Sequence, residues 1–250
     1  MANLFLGFPV PRAKIADMIT GTAPPSLHKT QHQDGGTDEL DCTGLVGAGG
    51  ISLPLNDFYV DTIWESLDGW TASAGSNGEY GISGTCVSIA SGPTAGGWAE
   101  IEKEITYPFP ALSWSKKRQF LCSLQMQANT SHAGNIMIAM GGIVSGGQCV
   151  GFWMDTGKLY AVYRYSSLHS QLVLDVSGAP YDITKTLKAI HTPGVDIKFY
   201  IDGVLVHTAT TDLPTGTSKA TKILEWLVDN ANTDELKYSR MSRFQFHQEA

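Results

Sequence analysis

The stretch Val195-Asp-Ile-Lys-Phe-Tyr-Ile201, then Asp202-Gly203, then Val204-Leu-Val-His-Thr208 constrains the fold more than any other part of the 250 residues. Apolar and polar side chains alternate on both sides of the Asp-Gly pair, so each flank is a half-buried strand with a period of two. A type I′ turn needs φ > 0 at both central residues, which Asp-Gly tolerates, so the unit predicts a hairpin. The same alternation recurs at Phe120, Cys122, Leu124 and Met126, at Ile136, Ile138 and Met140, at Leu159, Ala161 and Tyr163, and at Leu172, Leu174 and Val176. Further strands are expected at 58–64, 85–90, 100–106, 149–154, 186–191, 223–228 and 236–246. Lys222 to Asp229 has the length of a short helix, but Leu224, Trp226 and Val228 alternate with Glu225, which predicts a strand. Gly-rich connecting segments are expected around 66–97 and 141–147. About a dozen short strands with turn residues between them predict an all-β, antiparallel sandwich or barrel over residues 57–250. Composition agrees. Only 16% of residues are charged, against about 25% in an average soluble domain, and no helical bias is present.

Residues 1–56 differ in texture. An apolar start is followed by Pro24-Pro25, the polar run from His28 to Leu40, and Gly44-Leu45-Val46-Gly47-Ala48-Gly49-Gly50. Little periodicity is present, so the segment predicts an extended N-terminal arm and Gly-rich linker ordered by contact with a partner. The N-terminus has no basic run, and Gly7 and Pro9 interrupt its apolar residues, so no signal peptide is expected. No stretch reaches the ~20 apolar residues of a membrane span. Production in the cytoplasm follows from these expectations.

Several chemistries are excluded by spacing. The net charge of −7 and the single basic cluster Lys116-Lys117-Arg118 argue against nucleic-acid binding, which needs clustered Lys and Arg. Cys42, Cys86, Cys122 and Cys149 form no C-x-x-C pair, and free, buried thiols are expected. No G-x-S-x-G is present, Gly157-Lys158 lacks Walker spacing, and no repeat of propeller length is visible.

From Gly151 to Phe246 the chain resembles the second half of a concanavalin A-like or laminin G-like jelly roll. Gly151-Phe152-Trp153 to Gly157-Lys158-Leu159-Tyr160 resembles the paired strands around a short Asp/Gly turn, and Val195 to His207 resembles the family hairpin. Leu213-Pro214-Thr215-Gly216, the Trp226 strand and the closing Tyr238 to Phe246 strand follow in the usual order. The resemblance implies the fold but no activity, because one sandwich hosts many functions. The segment from His28 to Leu40, followed by Gly44-Leu45, resembles linkers of tailed-bacteriophage virion proteins, in which an attachment arm precedes a β-rich head. This resemblance implies a virion location, a homotrimer, and capsid or tail proteins as partners. Leu4, Phe5, Leu6, Phe8 and Val10 are the candidate anchors. Each such side chain contributes about 1.5–3 kcal/mol when buried.

Other residues carry candidate chemistry. Glu100, Glu102 and Glu104 alternate on one strand and share a face. Retaining glycosidases of concanavalin-like fold place two Glu and an Asp in a similar strand, with carboxyls about 5–5.5 Å apart. Here the middle residue is Glu102, and a wet outer face backed by Ile101 explains the pattern more simply. His28 and His32, with Asp34 nearby, suit a trimer axis or a solvated linker better than a helical metal site, because Gly35-Gly36 breaks any helix. Trp70 and Trp114 neighbour Gly, Ser and Pro and are candidate glycan contacts in loops. The expected function is a non-enzymatic virion structural protein that displays the sandwich as decoration or as a receptor-contacting fibre head, without metal or cofactor. A lectin-like carbohydrate-binding module is the alternative, and a retaining glycosidase using Glu100 and Glu104 ranks third.

Overall fold

The computed structural model describes residues 58–62, 64–105, 112–127, 134–144, 146–177, 182–231 and 236–249. The arm, its anchors Leu4, Phe5, Leu6, Phe8 and Val10, the residues His28, His32 and Asp34, and the boundary at 56/57 lie outside the described residues. Within them the chain forms β1 (Phe58–Thr62), β2 (Thr71–Gly75), β3 (Glu79–Ser83), β4 (Cys86–Ala90), β5 (Trp98–Glu104), β6 (Arg118–Met126), β7 (Asn135–Gly141) and β8 (Cys149–Asp155). There follow β9 (Lys158–Arg164), β10 (Leu168–Asp175), β11 (Ile183–Thr192), β12 (Asp196–Ile201), β13 (Val204–Ala209), β14 (Lys222–Asp229) and β15 (Tyr238–Gln248).

These strands make two antiparallel sheets. One runs β13-β12-β11-β6-β15-β4-β3, with β1 added on β15, and the other runs β10-β9-β8-β7-β14-β5-β2. The long strand β15 serves two neighbours on one edge, β4 along Tyr238–Met241 and β1 along Phe244–Gln248. A register shift between Met241 and Arg243 separates the two pairings. Among the described residues no helix is long and apolar enough to cross a membrane.

The alternating residues bury the faces they were expected to bury. Phe120, Cys122, Leu124 and Met126 of β6, and Ile136, Ile138 and Met140 of β7, all enter the core between the sheets. Phe152 stands at its centre, edge-on to Phe120 at 6.2 Å and to Phe199 at 5.6 Å, so one aromatic row ties β8 to both β6 and β12. The Asp202-Gly203 turn has φ of +51° and +81°, the left-handed pair that a type I′ hairpin requires. Gly151 serves a different need: a Cβ there would lie 2.1 Å from the Ile138 carbonyl oxygen, so only glycine lets β8 approach β7 so closely.

Three expectations are corrected. The Gly-rich region 66–97 contains two further strands, β2 and β3, whose Gly, Ser and Thr residues carry too weak an apolar alternation to be seen. In β10 the alternation through Leu172 fails, because a bulge at Val173 moves the pairing from Leu172↔Tyr160 to Leu174↔Leu159 and leaves Leu172 exposed. Cys122 and Cys149 are free and buried, whereas Cys86 is free and only half-buried at the start of β4.

The central aromatic row makes a direct expectation. Phe152→Ala removes a fully buried ring with two edge-on partners and should cost about 3–5 kcal/mol. Urea unfolding with an unchanged slope would show this loss as a shift of midpoint alone.

Candidate functional site

The outer face of the seven-stranded sheet is built by register. On β5, Ala99 and Ile101 enter the core, so Trp98, Glu100 and Glu102 must point outward. Adjacent β14 sets Asp229 beside Trp98, Leu227 beside Glu100 and Glu225 beside Glu102. Strand β7 continues the rows with Asn135, Met137 and Ala139, and β8 adds Trp153 opposite Met137, with Tyr160 of β9 beyond it.

The segment after β7 folds down onto this face. Ile143 is buried against Ala139, Cys149 and Val162. The Val144 backbone N–H donates to Glu225 Oε2 at 2.7 Å. Val144 and Leu227 thereby form a low ridge between two hollows. The first, about 400 Å³, is lined by Trp98, Glu100, Val144, Leu227, Asp229 and Gly97 among others. The second, about 320 Å³, is lined by Met137, Val144, Trp153, Arg164, Leu227 and Asp229 among others. A chain of hydrogen bonds fixes the boundary: Trp153 Nε1–H donates to Asn135 Oδ1 at 2.7 Å, and Asn135 Nδ2 donates to both oxygens of Asp229 at 3.1 and 3.0 Å. The Trp98 ring lies on the bare backbone of Gly75 in β2, where a Cβ would stand 2.6 Å from its Nε1.

The three glutamates of β5 separate. Glu100 and Glu102 meet Glu225, and single oxygens of the three lie within 4.8 Å of one another. Glu104 leaves this group, is exposed, and accepts a bond from Thr221 Oγ1 at 2.8 Å. Lys222, only 7% exposed, donates to Glu102 and to Glu225 Oε1 at 2.7 Å. Burial opposes the ammonium charge, but the hydrogen bonds and charges of Glu102 and Glu225 outweigh it and hold the Lys222 pKa above its usual range. Glu100 lies outside this pairing. Its burial, then repulsion by Glu225 and Glu102, pushes its carboxyl above the usual range against the pull of Lys222. Sequence reasoning missed Glu225, although a single carboxylate in the otherwise apolar run 223–228 was a signal that it faced a partner.

The expectation for Trp114 is corrected by its burial, and Trp70 stands apart from this face. Trp114 is fully buried, with its indole N–H on the Ser218 carbonyl at 2.8 Å and the Arg118 guanidinium 4.4 Å from the ring, so it offers no face to a ligand. Trp70 is half-buried against Trp64, 4.7 Å between ring centres, and Phe244, with Lys103 Nζ above it. Neither lies in the groove. The half-buried indoles that line it are Trp98 and Trp153.

No protein-family model and no curated protein sequence matches the chain. Solved structures match it in fold. The β-glucanase of Bacillus licheniformis is 18% identical, with 76% of this chain and 97% of that one covered at a TM-score of 0.54. The CBM2 module of the evolved Dit of Lactobacillus casei BL23 phage J-1 is 12% identical, with 78% and 97% covered at 0.56. A prokaryotic β-1,3-1,4-glucanase (lichenase) derived from a mouse hindgut metagenome is 12% identical, with 77% and 99% covered at 0.54. The fold is that jelly roll: an all-β, concanavalin A-like sandwich.

The buried ammonium dictates how this face answers to mutation. Lys222→Met strands the carboxylate of Glu225, which is 1% exposed, and should cost about 3–5 kcal/mol. The double variant Lys222→Met/Glu225→Leu should recover most of that loss, as read by urea unfolding of the two proteins.

Proposed function

We propose that this chain is a virion structural protein whose β-sandwich is a non-catalytic, glycan-binding head carried on its N-terminal arm. The groove on the seven-stranded sheet carries the reading. Indole faces at Trp98 and Trp153 suit the C–H faces of sugar rings, and the fixed chain Trp153–Asn135–Asp229 offers oriented polar atoms to hydroxyls. The arrangement of the carboxylates supports the non-catalytic part of this reading. A retaining glycosidase needs one carboxylate free as nucleophile and a second as acid about 5–5.5 Å away. Here Lys222 engages Glu102 and Glu225, and Glu104 is held apart by Thr221.

The virion placement is supported by the texture of residues 1–56 and by the fold shared with a module of a phage Dit protein. In this reading the arm, through Leu4, Phe5, Leu6, Phe8 and Val10, binds capsid or tail proteins. The chain assembles as a homotrimer, and the head faces a host-surface glycan. A retaining glycosidase is the second reading, because Glu100 has the raised pKa expected of a general acid.

A glycan array tests the head: the intact chain should bind one or more neutral or amino oligosaccharides, and Trp98→Ala should weaken that binding at least tenfold while Trp70→Ala leaves it intact. Reducing ends released from a bound glycan, and lost in Glu100→Gln, would replace this reading with the glycosidase. Deletion of residues 1–20 tests the arm. The truncated protein should fold yet fail to enter particles, and continued incorporation would remove the virion placement.

A further inference from the structure

Charge in the Trp98 hollow is unbalanced, and the imbalance specifies a ligand. Its lining includes two carboxylates, Glu100 and Asp229, one indole, and the apolar side chains Val144 and Leu227, with no Lys, Arg or His. Among the described residues Asp229 accepts from neutral donors, the Asn135 amide and the Ala231 backbone N–H at 2.8 Å. Glu100 shares its surroundings with Glu102 and Glu225, but the ammonium between them is spent on those two. No hydrogen bond or ion pair among the described residues reaches Glu100. A half-buried carboxylate whose neighbouring ammonium already pairs with two other carboxylates is better satisfied once a ligand brings a cation of its own. The neighbouring indole adds a π face that attracts the same charge.

We infer that the Trp98 hollow takes a hexosamine unit with a free, protonated amino group, the ammonium beside Glu100 and the ring on Trp98. This rests on the groove being the glycan site, and it adds the class of sugar. A compact ammonium on a saturated ring fits all three features at once: the apolar floor, the indole wall and the unpaired carboxylate. An N-acetylated unit would bring a neutral amide to Glu100 and gain none of the charge term. A uronic acid or a phosphate-bearing polymer would add a further anion to a wall that already holds two.

The test is calorimetric titration of the full chain, slightly below neutral pH, with three oligomers of equal length: a fully de-N-acetylated β-1,4-glucosamine, its N-acetylated counterpart, and a β-1,4-gluco-oligosaccharide. The free amine should bind at least tenfold tighter than either neutral oligomer. In Glu100→Gln the three affinities should converge, whereas Trp98→Ala should weaken all three together. The chain carries a net charge of −7, so losing one carboxylate barely changes non-specific attraction for a polycation. A preference that survives Glu100→Gln is therefore bulk electrostatics and overturns the inference. Equal binding of the three, lost in Trp98→Ala, also overturns it while leaving the glycan-binding head standing. Binding that requires added calcium and ignores the amine overturns it as well. Failure of every oligomer to bind overturns the inference, and the reading beneath it falls as well only where the glycan array is also blank.

Discussion

The register of β5 against β14 is the constraint from which the rest of the molecule's outer surface follows. Ile101 pairs with Trp226, and Ala99 with Val228, and all four are fully buried. Because side chains alternate strictly, these core positions oblige Glu102 to stand beside Glu225, Glu100 beside Leu227, and Trp98 beside Asp229. A slip of one residue would drive three carboxylates into the aromatic core and expose Ile101. Packing on the inner face thus determines which side chains stand on the outer one.

Two buried cations show how differently this sandwich treats charge on its two sides. Lys222, on the outer face, is matched by carboxylates of β5 and β14. Arg118, at the end of β6, is fully buried between Trp114 at 4.4 Å and Phe246 at 5.0 Å, and it donates to the Ala220 carbonyl at 2.6 Å. Burial pulls its pKa down to about 9. Ring faces supply part of what a carboxylate would. The same row of the sheet places His191 and Gln248 on either side of Arg118. Burial, then repulsion by Arg118, lowers the His191 pKa to about 4, so the imidazole is neutral over the ordinary pH range. This polar row closes one end of the core beneath the segment 112–117, where Ser113 N–H donates to Gln248 Oε1 at 3.0 Å.

Much of the fold was legible because two-sided alternation is a local property. The hairpin at Asp202-Gly203, the strand through Trp226 and the inward rows of β6 and β7 each announce themselves within ten residues. What alternation does not carry is the partner across the sheet. Glu100 and Glu102 were visible as a shared face, but Glu225 lies over a hundred positions away and joins them only through β14 pairing. The tryptophans illustrate the same limit. Gly, Ser and Pro beside Trp114 suggested a loop, and the segment is one, yet it folds inward under Arg118. Trp98 looked no different from Trp70 in its local sequence; the bare Gly75 on β2, which seats its ring, is a non-local fact. Small-residue strands such as β2 escape pattern reading because they pack by backbone pairing against β5 rather than by large apolar side chains.

The ridge at Val144 is where this face departs from a plain open sheet. Its N–H, bonded to Glu225, holds the segment after β7 against β14. Ile143 anchors the same turn in a small apolar cluster of its own. One backbone hydrogen bond therefore does two things: it satisfies an almost fully buried carboxylate that Lys222 alone would leave half-engaged, and it divides the outer face into two hollows with Leu227 and Asp229 common to both. The two hollows have different walls on either side of Val144: Glu100 and Trp98 in one, Arg164 and Trp153 in the other, with Asp229 shared. The charge pattern changes along the face, from a hollow lined by Glu100 and Asp229 to one in which Arg164 stands with Asp229.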